Sequence, residues 1–251
     1  MTTQEFSIEF DILYNNLASN SAPPVNAYEK SVFLTKAQSD IVIELYSGRN
    51  NLGLSFESSE EVREYLKTLI KQGQWSTINA TPEQFLGTNY YGVSISRPTD
   101  DQQNDVLFTI KEEIKETHST SDGTKYKVYP VIPVTQDALH STLNNPFKGP
   151  KSGKRALRLD ADSTNIYLYL ENKPYTTWSY KETYLTYPSA IIIYEDPDMN
   201  GLYIGYEKIN GSNQECKLPA SLHNMILERA VLLAKMAYVG GQTQQPQQQQ
   251  R

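Results

Sequence analysis

The chain has 251 residues, with 23 basic and 29 acidic side chains and a net charge of −6. That length is ample for a buried core, and 38% apolar with 11% aromatic residues argues against wholesale disorder. A lone cysteine, Cys216, excludes an intrachain disulfide and any zinc site that needs two thiolates from one chain. The acidic balance disfavours a general polyanion binder and leaves room for a local basic patch. No run is long and apolar enough to span a bilayer. Met1-Thr-Thr-Gln-Glu lacks a basic region ahead of an apolar one, so no secretory signal is expected.

Thr2-x-x-Glu5 reads as a capping box, and Phe6, Phe10, Leu13 and Leu17 follow at helical spacing, predicting an amphipathic helix over 3–18. A polar stretch at 19–24 ends it. Asn26-x-x-Glu29 and Thr35-x-x-Gln38 can each cap a second helix. Its apolar face is Leu34, Ala37, Ile41, Val42, Leu45 and Tyr46; the Thr35 start is favoured, with Gly48 as the stop. Ser58-x-x-Glu61 announces a third helix carried by Val62, Tyr65, Leu66, Leu69 and Ile70 and closed by Gly73, so 1–73 reads as a helical region.

Past Trp75 the period changes, and Pro82, Pro98, Pro130, Pro133, Pro146 and Pro150 forbid long helices. Val106, Phe108 and Ile110 alternate with polar neighbours, Ser121-Asp-Gly123 supplies a turn, and Tyr126, Val128 and the run 131–134 complete a hairpin. A short helix over 135–143 and strands at 156–159, 166–170, 175–180 and 190–194 fill a β-rich region spanning 74–217. The last element, within 218–239, carries Leu222, Met225, Ile226, Ala230, Leu233 and Ala237 on one stripe, widened by Leu227, Val231, Leu232 and Ala234. A helix so broadly apolar is expected to be buried on more than one side, either threading its own core or meeting another subunit through Leu222, Met225, Ile226 and Leu233. The Gln-rich residues 240–251 read as a disordered tail. The fold class is therefore α+β, with the N-terminal helices and a long C-terminal helix packed together beside a central antiparallel, hairpin-built unit.

Chemical motifs are few. Asp196-Pro-Asp198-Met-Asn200-Gly201, with Glu207 closing the run, satisfies the pattern of a calcium-binding EF-hand loop. Its flanks have strand rather than helix character, and a β-hairpin with its tip at Met199-Asn-Gly201 explains the same residues. Gly149-Pro-Lys-Ser-Gly153-Lys154-Arg155 is one residue short of a phosphate-binding loop and has Arg where a magnesium-holding hydroxyl belongs, which rejects nucleotide hydrolysis. What remains is a basic cluster, Lys148, Lys151, Lys154, Arg155 and Arg158, that is a solvated loop, faces an acidic patch on a neighbouring subunit, or faces passing DNA. His118, His140 and His223 are scattered, no nucleophile is paired with a base, and no cofactor is called for, so no enzymatic activity is expected. Eighteen tyrosines fit cross-strand packing, large permanent contacts or a sugar-binding platform such as an adhesin-like module uses.

An ordered set of segments resembles a known family. It comprises Tyr28-Glu-Lys-Ser-Val-Phe-Leu-Thr-Lys-Ala-Gln38 leading into Ile41-Val-Ile-Glu-Leu-Tyr46, Val131-Ile-Pro-Val-Thr-Gln-Asp137, and Asn145-Pro-Phe147. Tyr184-Leu-Thr-Tyr-Pro188 running into Ile191-Ile-Ile193, and Leu218-Pro-Ala-Ser-Leu-His223, complete it. Together they resemble the head-to-tail connector ring proteins of crAss-like tailed phages of Bacteroidota, with Ser189-Ala190 standing where prolines are usual. The resemblance implies a non-enzymatic virion protein of the neck, assembled in the host cytoplasm. It further implies a twelve-copy ring with the portal and neighbouring ring or tail proteins as partners. Packaged double-stranded DNA would pass through the channel, and no membrane is involved.

Overall fold

The computed structural model describes residues 1–17, 23–50, 53–78, 83–84, 90–96, 106–120, 123–160, 165–171 and 176–238. In chain order the elements are α1 (Thr3–Leu17), α2 (Ala27–Ser47), α3 (Glu60–Leu66), β1 (Ile70–Gln72), β2 (Ser76–Thr77), β3 (Glu83–Gln84), β4 (Tyr90–Ser96), β5 (Val106–Thr120) and β6 (Gly123–Pro133). They continue through α4 (Gln136–Leu143), β7 (Ala156–Asp160), β8 (Asn165–Glu171), β9 (Thr176–Thr186), β10 (Tyr203–Ile204), β11 (Glu207–Lys208) and α5 (His223–Tyr238). The fold is α+β. The residues expected as linker and turn at 18–22 and at 121–122, Tyr175 and the tail from 239 onward lie outside the described residues.

The chain divides into a helical unit, Met1–Leu69 with Tyr187–Arg251, and a sheet unit, Ile70–Thr186. The expected boundaries at 73/74 and 217/218 give way for a physical reason. Residues 70–72 pair as a strand with β9 (Ile70 opposite Leu185), while Ser189, Ile191 and Ile193 bond to α2.

In the helical unit, the capping box at Thr2 and Glu5 forms, with Thr2 N–H donating to Glu5 at 2.8 Å and Glu5 N–H to the Thr2 hydroxyl at 3.3 Å. The second helix starts eight residues before the favoured Thr35. Asn26 Oδ1 accepts the Glu29 N–H at 2.8 Å and the Glu29 carboxylate accepts the Asn26 N–H at 2.9 Å, a complete capping box. Thr35 is not a cap because its hydroxyl serves a distant backbone group, as described below. Gly48 ends the helix at φ 74°, a left-handed value that favours glycine. α5 packs against both α1 and α2. The Phe6 and His223 rings, 5.2 Å apart, join the starts of α1 and α5, and pairing of Phe33 with Tyr238 and of Glu44 with Arg229 sets α2 antiparallel to α5.

The third helix is shorter than its periodicity predicts. Ser59 rather than Ser58 caps it; the helix gives way to a 3-10 turn at Lys67–Leu69, and Ile70 enters the sheet. Gly73 is no helix stop: its N–H bonds the Glu182 carbonyl at 2.8 Å. The run Ile191-Ile-Ile193 is fully buried and extended but forms no strand beyond a single bridge from Ile192 to Gln214. Three side chains on one face of α2 take the place of a neighbouring strand. The Ser31 hydroxyl accepts the Ile193 N–H at 2.9 Å, Thr35 Oγ1 accepts the Ile191 N–H at 3.0 Å, and the Gln38 amide donates to the Ser189 carbonyl at 2.9 Å.

The sheet unit is a nine-stranded sheet ordered β1-β9-β5-β6-β7-β8-β4-β3, with β2 also paired to β9. The expected hairpin is β5–β6, with Glu113 opposite Pro130 and Thr120 opposite Gly123. One pair departs from an antiparallel plan, since β6 and β7 run parallel. That pairing needs a crossover, and the connection between them holds α4. One sheet face buries Val93, Ile114, Tyr129, Val131, Ile166, Leu168, Leu170, Trp178 and Tyr180. On the other, Leu139 and Leu143 of α4 cover Leu157 and Tyr169. In β5 the alternation does not place Val106, Phe108 and Ile110 at the centre of the core. Irregular pairing between Val106 and Phe108 and between Thr109 and Lys111 shifts the register, and Glu112, Ile114 and Glu116 are the residues buried.

Candidate interaction surfaces

The basic cluster separates into two kinds of residue. Lys148, Lys151 and Lys154 are exposed and Arg155 half-exposed on a tight turn. The Lys154 and Arg155 N–H groups both bond the Lys151 carbonyl, at 2.9 and 3.0 Å. Arg158 does not belong with them. Strand alternation turns it to the buried face, where it is 7% exposed and its guanidinium meets Glu112 at 2.9 Å.

The turn rests on one buried acid, Glu116, and one half-buried acid, Glu171. Ser152 donates its N–H to Glu171 at 2.8 Å and its hydroxyl to Glu116 at 2.6 Å. Glu116 is fully buried and also meets His118 Nε2 at 2.9 Å, while Thr176 meets the other ring nitrogen at 3.1 Å. Burial, reinforced by the Glu116 charge, pushes the Tyr129 hydroxyl far above its ordinary range, so it stays a neutral phenol beside the carboxylate. Hydrogen bonds to a charged acceptor contribute about 1.5–3 kcal/mol each, which makes Ser152 a firm anchor. Gly149 leaves no room for a side chain, because a Cβ there would lie 2.8 Å from the Tyr90 hydroxyl oxygen. Arg155 donates to the Phe147 carbonyl and fixes the preceding loop, whose Phe147 ring stands 81% exposed. The stem of Lys127 lies against Gly153 and brings a further cation alongside.

A second polar network occupies the same buried face. Glu112 and Glu182 sit directly opposite each other on β5 and β9, 5% and 1% exposed. Tyr180 donates to Glu112 at 2.5 Å and Thr109 to Glu182 at 2.7 Å. Burial raises the Glu112 carboxyl above its usual range, opposed by Arg158 and by the Tyr180 hydroxyl. Arg158 is the cation paired with Glu112, while Glu182 is held by the Thr109 hydroxyl, a structural duty for each. Sequence reasoning missed both networks. The signal was available in Glu112, Ile114 and Glu116, which share one strand face with two acids on it.

In the helical unit, the expected interface residues part company. Leu222 and Ile226 are buried in the chain's own core, Leu233 is half-buried and Met225 is 50% exposed. The buried side of α5 is Ile226, Leu227, Ala230, Val231 and Ala234, all taken up by its own unit. The apolar residues left outside are Met225, Leu232 and Met236, the last 67% exposed, which follow one another along the solvent face. On α1, Ile8 and Ile12 are likewise exposed one turn apart.

Two acids of the loop at 196–207 are engaged within the fold. Asp196 accepts the Asp198 N–H, and Glu207 accepts from Ala190 N–H at 3.1 Å and from Gln214 at 2.6 Å. The expected hairpin with its tip at Met199-Asn-Gly201 does not form: Pro197–Met199 is a 3-10 turn, and a separate hairpin of β10 and β11 has its tip at Gly205-Tyr206, with Gly205 at φ 60°. Among the described residues no group of three or more His, Cys, Asp or Glu side chains is placed to hold a metal ion. His140 contacts Asn144, and His223 is buried between Leu218 and Phe6. Tyr169, Tyr180 and Tyr184 belong to the core, Tyr167 is exposed on the sheet unit, and Tyr203 and Tyr206 are exposed on the helical unit, where the Tyr206 ring lies 5.9 Å from that of Tyr187. No described helix is long and apolar enough to cross a membrane.

Buried polar groups that serve architecture, and exposed apolar and basic groups on rigid elements, define an assembly component. Comparison with known proteins agrees. A family model for the phage tail ring protein 3/4 matches residues 1–246. Ring protein 3 of Bacteroides phage crAss001 is 36% identical over 237 residues, covering 93% of this chain and 95% of that protein. Ring protein 4/5 of the same phage is 33% identical over 246 residues, covering 96% and 94%. The chain belongs to the phage tail ring protein 3/4 family of crAss-like phages, and is therefore a structural component of the virion that works in an oligomeric assembly.

Proposed function

We propose that the chain forms a closed twelve-copy ring in the virion neck. There it joins the portal to the tail and surrounds the channel through which packaged double-stranded DNA passes. The observation that carries this reading is the extent of the family match, which runs through the helical and sheet units alike at 1–246, so the whole chain follows the ring-protein plan. A ring closes through one repeated heterologous contact, and the apolar stripe Met225, Leu232 and Met236 supplies a face suited to it. No cofactor enters this role.

The test is native mass spectrometry of the purified chain, alone and mixed with the portal of the same phage. A species of twelve copies, formed alone or on the portal, supports the reading. A chain that stays monomeric with portal at high concentration overturns it.

A further inference from the structure

We infer that the turn bearing Lys148, Lys151, Lys154 and Arg155 is one half of a charged patch within the contact between neighbouring copies in the ring. The other half is the acidic exposed side of α3 on the next copy. This rests on the ring reading above and names the partner of one surface.

The turn is a local exception in an acidic molecule. It concentrates four cations within eight residues of a chain whose net charge is −6, so the rest of each copy is more acidic than the total. Among the described residues none of its three lysines has a carboxylate within ion-pair distance, although ion pairs form elsewhere, at Lys30 with Asp11 and Lys111 with Glu113. Its shape is fixed from beneath by Ser152 on Glu116 and Glu171 and by the close approach of Gly149 to Tyr90. Charges held on a rigid turn lose little side-chain and backbone freedom when a partner arrives, the condition under which exposed charge contributes to recognition.

The complementary surface lies on the helical unit. Glu57, Glu60, Glu61 and Glu64 are all exposed within eight residues around α3, against Arg63 in the same span and Lys67 just beyond it; Glu64 meets Lys67 at 3.4 Å and Glu61 accepts from the Tyr65 hydroxyl, and neither interaction takes these acids out of solvent. Glu60 and Glu61 sit in the first turn of α3 and suit its own dipole. Glu57 precedes the helix and Glu64 lies beyond that turn, so the dipole does not account for them. The acids at 195–198 are a smaller group of three, of which Glu195 accepts from the Ser7 hydroxyl and Asp196 from the Asp198 N–H. The turn and the helix are different segments of the chain, so a contact between them on neighbouring copies is heterologous.

The experiment uses two full-length chains, K148E/K151E/K154E and E57K/E60K/E64K, with the wild type, each checked for unchanged circular dichroism. Oligomer mass is read by native mass spectrometry over a concentration series at low and high salt. The wild type is expected to assemble, with a midpoint concentration at least ten-fold higher in high salt. Each reversed chain alone is expected to stay monomeric where the wild type is a ring. An equal mixture of the two is expected to regain the ring, because every junction in an alternating ring then pairs opposite charges.

Reversed chains that keep the wild-type ring mass, or a mixture that stays monomeric, overturn the contact while leaving the ring reading intact. If the lysine reversal spares the ring but abolishes retention of a duplex DNA on filters, the turn faces DNA and the proposal is wrong. A wild type that never assembles, with or without portal, overturns the ring reading itself, and the contact with it. The neutral chain K148Q/K151Q/K154Q, expected to weaken assembly by a smaller factor than reversal, serves if a reversed chain misfolds.

Discussion

Replacing Thr35 by Val tests the claim that α2 side chains stand in for a missing strand. The two residues have the same shape, so packing around the fully buried Ile191 is preserved, but the Ile191 N–H loses its acceptor at 3.0 Å. An unpaired buried amide costs about 1–3 kcal/mol. Ser31→Ala strands the Ile193 N–H in the same way and is expected to cost a similar amount. Gln38→Met separates this account from a simple count of bonds: it strands the Ser189 carbonyl but also removes Gln38 Oε1, which is buried without a partner. Loss and relief offset, and its effect is expected within about 1 kcal/mol of zero. Ser39→Ala, where the hydroxyl bonds only the Thr35 carbonyl one turn back, is the control, within about 0.5 kcal/mol.

Urea unfolding followed at 222 nm reads the result, since α1, α2, α3 and α5 all belong to the helical unit. With a slope of about 2 kcal/mol per molar urea, Thr35→Val should lower the midpoint by about 0.5–1.5 M at unchanged slope. A shift below about 0.2 M, or one matched by Ser39→Ala, would refute the reasoning.

Other outcomes follow from the same physics. Burial holds the His223 imidazole below its ordinary value of about 6.5, with Nε2 donating to the Leu218 carbonyl at 3.0 Å. The unfolded chain therefore binds the proton first, and His223 contributes stability above about pH 6.5 that is lost as pH falls through the folded value. Thermal midpoints at pH 7.5 and 5.5 should differ less in His223→Gln than in the wild type. Ile226→Ala should cost about 2–5 kcal/mol as a core truncation, while Met225→Ser, Leu232→Ser and Met236→Ser should each change monomer stability by no more than about 0.5 kcal/mol. Urea titration decides both, and a large effect at Met236 would place it in the core. Ser152→Ala removes a donor to the buried Glu116 and should destabilise the sheet unit by about 1.5–3 kcal/mol, read from the fluorescence of Trp75 and Trp178, both of which lie in that unit. An unchanged transition would show that Glu116 does not need the turn.

Much of this architecture was legible because local signals agreed with global packing. The Thr2–Glu5 box, Gly48, the β5–β6 hairpin and the final helix each combine a capping or turn residue with a periodic apolar run. The failures occur where a residue serves a partner far away in sequence. Thr35 looks like a cap and is instead an acceptor for Ile191, 156 positions on. Ile191-Ile-Ile193 has strand composition, and burial does extend it, but helix side chains satisfy its backbone. Arg158 reads as the last of a basic run, yet one step of strand alternation carries it inside to Glu112. The parallel β6–β7 pairing was invisible because no local feature of Ala156-Leu-Arg158-Leu159 says which way its neighbour runs. The surfaces were only half legible: the lysines were evident, whereas the acids that seat their turn come from β5 and β8 and converge only in the folded sheet.

The pairing of Ile70 with Leu185 has a consequence for how such proteins diversify. The polypeptide enters and leaves the sheet unit on adjacent antiparallel strands, a strand spacing of roughly 5 Å apart. An insertion whose two ends already touch behaves as a cassette. It can be lengthened, replaced or deleted with a short splice without pulling apart the residues on either side. A lineage that keeps the helical frame and swaps this cassette acquires a new surface in a single recombination event.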